Sequence, residues 1–377
     1  MFGYGAGTVD PFHVPAWMDT LSGAVDGMPG VWIDLGNLET SVLGERLDAI
    51  SVRKPVYLAG LARAGSTILL ELLAQHPEVA THRYRDFPAV HLPHWWNWFV
   101  DHAAQRPMQA SERAHLDGIQ ITRESPEAFE EVLWMAFFPG LHDPNRSAVL
   151  TGQTRNLAFE RFYPDHIRKL LLLRSSPRYL AKGNYNVSRL GYLLKIFPDA
   201  RFVIPIRHPV WQIASLMKQH RIFCDAGEAD PRVTRHLRRA GHFEFGLDRR
   251  PINLGDSEAT ARVVDHWRRR EEVLGWADYW RQVYDHVADA LASDERLAEA
   301  ALVVRYEDLC RAPDATMGKI LQHCDLPPGC LPIRAKRIVR HPAYYRPQFG
   351  RADLGRILER TAATLSRFGY LSDEIAE

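Results

Sequence analysis

The most constraining stretch of this 377-residue chain is an apolar run, a glycine-bounded loop and a second apolar segment in immediate succession. Val56-Tyr57-Leu58-Ala59 predicts a buried strand and residues 66–75 predict a helix, so the unit reads strand, loop, helix. The loop Gly60-Leu61-Ala62-Arg63-Ala64-Gly65-Ser66-Thr67 keeps the two glycines and the terminal hydroxyl of a phosphate-cradling loop, with Ser66 where such a loop carries its lysine. Glycines let backbone close around an anion, and the following helix aims unpaired N–H groups and the positive end of its dipole at it. Without the lysine, the loop suits a nucleotide whose reactive group hangs on its 5′-phosphate better than a triphosphate with magnesium. Arg63 supplies a cation inside the loop instead. Taken alone, the same glycine spacing also fits a tight turn with no ligand.

Three further apolar runs predict strands: Leu170-Leu171-Leu172-Leu173, Phe202-Val203-Ile204-Pro205-Ile206 and Ala301-Leu302-Val303-Val304. With helices between them, they predict an α/β fold, a parallel sheet flanked by helices on both faces. Pro205 lacks a ladder donor and is expected at an edge, an end or a bulge. Residues 38–50, 128–138 and 210–218 predict helices, and 265–291 predicts one long helix. Residues 1–53 read as an N-terminal cap segment and 54–377 as the α/β domain, with insertions near 90–150 and 220–265. The second insertion carries Arg232, Arg235, Arg238, Arg239, Arg249 and Arg250, expected to form a solvated face or lid, with an anionic substrate as the alternative partner.

Lys and Arg total 47 against 46 Asp and Glu, so no global field draws the chain to nucleic acid or an anionic membrane, and any bound anion needs a local site. No run of about 18 apolar residues predicts a membrane span. Four cysteines without a Cys-x-x-Cys pair, and an N-terminus lacking a basic-then-apolar leader, predict a reducing, cytoplasmic setting. Cys324, Cys330 and His323 lie close in sequence, but their spacing matches none of the usual zinc patterns.

Arg63-Ala64-Gly65-Ser66-Thr67 resembles the 5′-phosphosulfate loop of the sulfotransferase family, with Ala64 in place of the usual hydroxyl residue. Strand 202–206 followed by Arg207-His208-Pro209, with Ser215 eight residues beyond Arg207, resembles that family's 3′-phosphate segment, His208 replacing the common Asp. Arg305-Tyr306-Glu307-Asp308-Leu309 is similar to the family segment after the last core strand, which makes Tyr306 a candidate adenosine contact. Glu307 and Asp308 also fit a purely structural corner, with Asp308 capping the helix. Arg178-Tyr179-Leu180-Ala181-Lys182-Gly183-Asn184 resembles the segment whose lysine neutralises the departing nucleotide, so Lys182 takes that role, with a surface loop lysine as its structural alternative.

The resemblance covers residues 54–330 and is closest to the bacterial-type members related to the tyrosylprotein and carbohydrate branch. It implies a P-loop-like sulfotransferase fold. It also implies sulfuryl transfer, without metal, from 3′-phosphoadenosine 5′-phosphosulfate (PAPS) to a hydroxyl or amine of a small-molecule, carbohydrate or lipid acceptor. Two rivals stay open, a P-loop-type nucleotide kinase and a relative that binds nucleotide without catalysis. In the family branch a general base follows a His-Pro-x-Val stretch, here His76-Pro77-Glu78-Val79. Asp86 is the first candidate for that base and His82 the second, while Asp86 also fits an ion pair with Arg83 or Arg85. The aromatic cluster His91, His94, Trp95, Trp96, Trp98 and Phe99 reads as acceptor wall or as helical core. The run from Arg340 to Arg346 is a candidate to close over the cofactor, and oligomeric state is not encoded.

Overall fold

A computed structural model provides the structure and describes residues 11–103, 111–115, 120–340 and 347–370, so most of the 340–346 run lies outside the described residues. Its centre is a parallel sheet of β1 (Val56–Ala59), β2 (Val79–Ala80), β3 (Arg178–Gly183), β4 (Arg201–Ile206) and β5 (Ala301–Arg305). The strand order is β2-β3-β1-β4-β5, which puts β1 in the middle with its neighbours arriving later in the chain. The chain leaves β1 toward one edge and returns to build the other, so the carboxyl end of β1 lies at a topological switch point.

Successive strand residues serve opposite faces. Val56, Leu58, Leu180, Val203 and Val304 pack with Leu69, Leu70 and Leu73 of the Ser66–Leu73 helix on one face. Tyr57, Ala59, Tyr179, Ala181, Phe202 and Ile204 pack into the larger core on the other, with Tyr163, Ile167 and Trp280. Burial on both faces is why these strands are continuously apolar rather than alternating.

The Leu170–Leu173 run is not a strand. It ends the Leu157–Arg174 helix, in which Phe159, Phe162, Tyr163, His166, Ile167, Leu170 and Leu171 are buried at helical spacing. Four leucines carry no period, and the deciding signal lay upstream, including Asn156, whose side chain accepts the Phe159 N–H at 3.1 Å. The strand in that region is β3, disguised by its charged ends. Arg178 is satisfied by backbone carbonyls of Lys54 and Cys324, both at 2.7 Å. The expected long helix over 265–291 is two, Ser257–Arg268 and Glu272–Ser293, broken where Arg270 takes φ 62°. Similarly, Gly44 at φ 41° separates Pro29–Leu43 from the short Glu45–Asp48 helix.

Pro205 lies in an interior strand. Pairing of β4 to β1 ends at Val203, however, and the proline packs against Gly60, where an added Cβ would come within 2.7 Å of the Pro205 carbonyl oxygen and 3.1 Å of its Cγ. The N-terminal helices pack onto the domain: Lys169 pairs with Glu39 at 3.1 Å, and Asp19 of the Ala16–Gly27 helix pairs with both Arg235 and Arg239 at 2.7 Å. Arg232, Arg238, Arg249 and Arg250 likewise face carboxylates of Asp230, Asp248, Glu272 and Asp248. Arg235, Arg239 and Arg249 stitch the insertion to its surroundings, while Arg232, Arg238 and Arg250 pair within it. His323 is turned to the Ala300 carbonyl at 3.1 Å, and among the described residues no cluster of His, Cys, Asp and Glu has the makings of a metal site.

Candidate functional site

Four candidate segments converge because each leaves the carboxyl end of a parallel strand: the glycine loop after β1, Lys182 near the end of β3, Arg207 after β4, and Tyr306 after β5. In the loop, Arg63 adopts φ 68° and Gly65 φ 97°. A left-handed backbone at a non-glycine residue is uncommon and is retained where the surroundings fix it. Gly65 is required sterically, since a Cβ there would lie 2.4 Å from Cδ2 of Tyr306. The glycine therefore lets the first loop touch the segment after the last strand. Ala64 is fully buried, its N–H bonds the Leu61 carbonyl at 3.3 Å, and it is not among the residues lining the cavity described below.

The second anchor meets the first. Arg63 Nε donates to Ser215 Oγ at 3.0 Å, joining the loop to the Pro209–Ala229 helix. The Arg207 guanidinium lies 4.8 Å from the centroid of the same Tyr306 ring that covers Gly65. Arg207 is 5% exposed, and its Nε and Nη2 are buried without a hydrogen-bond partner. His208 caps the Pro209–Ala229 helix, its ring accepting the Val210 N–H at 3.4 Å. Glu307 is structural: Oε1 accepts the His208 N–H at 3.0 Å and Oε2 the Tyr370 hydroxyl at 2.7 Å. Asp308 pairs with Arg311 at 3.0 Å, and the helix it was expected to cap has Arg305 at its N-cap.

Lys182 shares its face of β3 with Leu180, the face covered by the Ser66–Leu73 helix, and it emerges at that helix's first turn. Its Nζ is 3.3 Å from Thr67 Oγ1, and Arg113 Nη1 reaches the same oxygen at 3.5 Å. The lysine is buried in a strand rather than exposed in a loop. Burial pushes its pKa down, opposed by the Glu127 carboxylate. Arg63, Ser66, Thr67, Arg113, Glu127 and Lys182 line one cavity, which continues past Asn184, His242 and Glu244 to an apolar wall of Phe223, Leu237 and Phe245.

The sulfotransferase family profile matches residues 55–241, from β1 into the second insertion. The chain is 22% identical over 307 residues to the omega-hydroxy-beta-dihydromenaquinone-9 sulfotransferase Stf3 of Mycobacterium tuberculosis, covering 78% of this chain and 68% of that one. The chain is similar to the sulfotransferase family over just under half of its length. Among solved structures, sulfotransferase STF9 from Mycobacterium avium aligns with a TM-score of 0.49 at 16% identity, over 88% of this chain and 82% of that one. STF1 from Mycobacterium tuberculosis aligns at 0.47 and 16%, over 88% and 83%.

In this sulfotransferase, Asp86 does not reach the cavity. Its side chain is fully buried, with Oδ1 accepting from Arg174 Nη2 at 2.7 Å and Asn97 Nδ2 at 2.8 Å, and Oδ2 from the Arg83 N–H at 2.8 Å. Burial alone would raise its pKa, but the His82, Arg174 and Asn97 contacts outweigh this and hold it well below the carboxylate range. Closed off from the cavity, this carboxylate has no acceptor hydroxyl within reach. His82 is 2% exposed, 3.4 Å from Asp86 at Nδ1 and 3.1 Å from His166 at Nε2. Both expected bases thus belong to a closed network behind the cavity wall.

The tryptophan cluster is also elsewhere: Trp96 bonds the Arg85 carbonyl at 2.8 Å, Trp98 is 59% exposed, and His91 opens on a separate cleft with Phe87 and Met135. The sequence reading missed Arg113, Glu127, His242 and Glu244, the cavity-lining groups contributed by the two insertions. A carboxylate, His242-Phe243-Glu244, beside six arginines was a visible signal for the last two.

Proposed function

We propose that this sulfotransferase uses PAPS as donor and moves its sulfuryl group to a hydroxyl or amine of a small-molecule or lipid acceptor. Arg207 carries this reading. A buried guanidinium with two unpartnered nitrogens is costly unless an anion completes it, and its neighbour Tyr306 also closes on Gly65, in the loop that Arg63 ties to Ser215. The 3′-phosphate meets that demand, while Arg63, Gly65, Ser66 and Thr67 hold the 5′ end and Lys182 neutralises the oxygen left when the S–O bond breaks. Every step is carried by protein side chains and backbone, with no metal. The lipid acceptor of the mycobacterial relative and the Phe223, Leu237 and Phe245 wall support an acceptor with an apolar body. Among the described residues no helix is long and apolar enough to cross a membrane, and all four cysteines are free, which supports action in the cytoplasm on acceptors presented from it.

Calorimetry with adenosine 3′,5′-bisphosphate (PAP) and ADP tests the assignment. PAP is expected to bind and ADP to bind far more weakly, and Arg207→Ala is expected to lower PAP affinity by about 10- to 100-fold, the value of a hydrogen bond to a charged group. Equal affinity for ADP, or an unchanged affinity in the variant, would refute it.

A further inference from the structure

With Asp86 and His82 closed off, the cavity needs another group to take the acceptor's proton. We propose that Glu127, from the first insertion, is the general base of this reaction, an inference resting on the PAPS reading above. Its carboxylate lines the same cavity as Ser66, Thr67 and Lys182, between the donor loop and the apolar wall. It is only half-buried, and Oε1 accepts the Ala128 N–H at 2.7 Å, which fixes the carboxylate's direction.

Its backbone is placed by the segment that was expected to supply the base. The Glu127 N–H bonds the His82 carbonyl at 3.0 Å, Tyr84 N–H bonds the Ser125 carbonyl at 3.0 Å, and Arg83 bridges to Pro126. Residues 82–86 are therefore the scaffold that presents Glu127. Burial alone would raise the Glu127 pKa, but Lys182, His242, Arg113 and a hydrogen bond from the Tyr84 side chain outweigh it, so the group stands as a carboxylate at the cavity.

The other carboxylates nearby are committed or absent from the cavity. Glu244 accepts from Asn184 Nδ2 at 2.6 Å and faces His242 Nδ1 at 3.6 Å. Against the pull of burial, Glu244 and Glu127 raise the His242 pKa, so that imidazole tends to hold a proton rather than receive one. Glu71 opens on a different cleft, with Thr81 and Glu124. A fixed negative group next to an anion site repels the donor, and a role in the reaction accounts for its presence. In the step, the acceptor O–H or N–H proton moves to a Glu127 oxygen as the freed electron pair forms the bond to sulfur. The bond from sulfur to the 5′-phosphate oxygen breaks, and its electron pair stays on that oxygen beside Lys182.

The test uses the full chain, wild type and Glu127→Gln, Glu127→Asp, in single-turnover assays with PAPS and para-substituted phenols, and with water as acceptor through PAPS hydrolysis. Glu127→Gln is expected to slow transfer about 100-fold or more, the usual weight of a general base, while PAP affinity stays near wild type. Glu127→Asp should fall between the two. The loss should shrink for 4-nitrophenol, which ionises without help, relative to 4-methylphenol. Unchanged transfer and hydrolysis in Glu127→Gln would overturn the assignment while leaving the donor reading intact. PAP affinity lost in step with turnover would overturn it too, making Glu127 a counter-ion of Lys182 and Arg113. A wild-type protein that does not bind PAP would sink the donor reading itself, and this inference with it.

Discussion

Two clusters in this sulfotransferase contain the same kinds of side chain and behave oppositely. Around Asp86, the carboxylate accepts from Arg174 and Asn97 and faces His82 in a site closed to solvent. At Arg207, the guanidinium has the Tyr306 and Trp211 rings for neighbours and two nitrogens left over. Buried nitrogens without a partner occur in both, at His166 Nδ1 and Arg174 Nε as well as at Arg207, so the difference lies in charge. The first sets an anion against a cation; the second sets a cation against rings and calls for an anion. What separates a structural charge cluster from a ligand-binding one here is that uncompensated charge, since residue type and burial are common to both.

The largest effect that sharpens this contrast is on stability. Asp86→Asn leaves Arg174 buried without its anion and is expected to lower unfolding free energy by about 3 to 5 kcal/mol, measured by urea unfolding. Transfer per folded molecule should hold, and a selective loss of turnover would merge the two clusters. The pH dependence follows from the depressed Asp86 pKa. Between that folded value and about 3.9 in the unfolded chain, the unfolded state binds the extra proton. The Asp86 contribution is thus fully present above the unfolded value and drains away as pH falls through the folded one. The stability gap between wild type and Asp86→Asn should narrow below pH ~4 and stay constant above it.

Next comes Lys182→Ala, expected to slow single-turnover transfer about 100- to 1000-fold with thermal stability nearly unchanged, as for loss of one donor to a developing oxyanion. Arg207→Lys keeps a charge but not the fork, and a loss of about 10-fold in PAP affinity by calorimetry is expected. The smallest effect is predicted for Arg238→Ala, whose partner Asp248 also serves Arg250. An exposed pair of this kind contributes about 0.5 kcal/mol or less by urea unfolding.

The donor side was legible in the sequence because its requirements are local. A strand, a glycine loop and a helix are contiguous, and Gly65 can be read as glycine before one knows that Tyr306 occupies the space of its missing side chain. Arg207 and Lys182 follow from the ends of strands in the same way. The base was not legible, because the pairing of residues 82–86 with 123–127 joins two stretches about 40 residues apart, and only that pairing shows which of them faces the cavity. The four leucines at 170–173 failed for a related reason: their burial is equal in helix and strand, and only the buried positions from Phe159 onward carry the period.

The double grip of Asp19 on Arg235 and Arg239 flanks Leu237, which faces the acceptor side of the cavity from the same short helix. A graft that exchanges this helix to retune acceptor choice therefore has to keep cations at positions 235 and 239 for Asp19 to hold. The Ala16–Gly27 helix is in this sense a tailor's pin holding the pocket lining in shape.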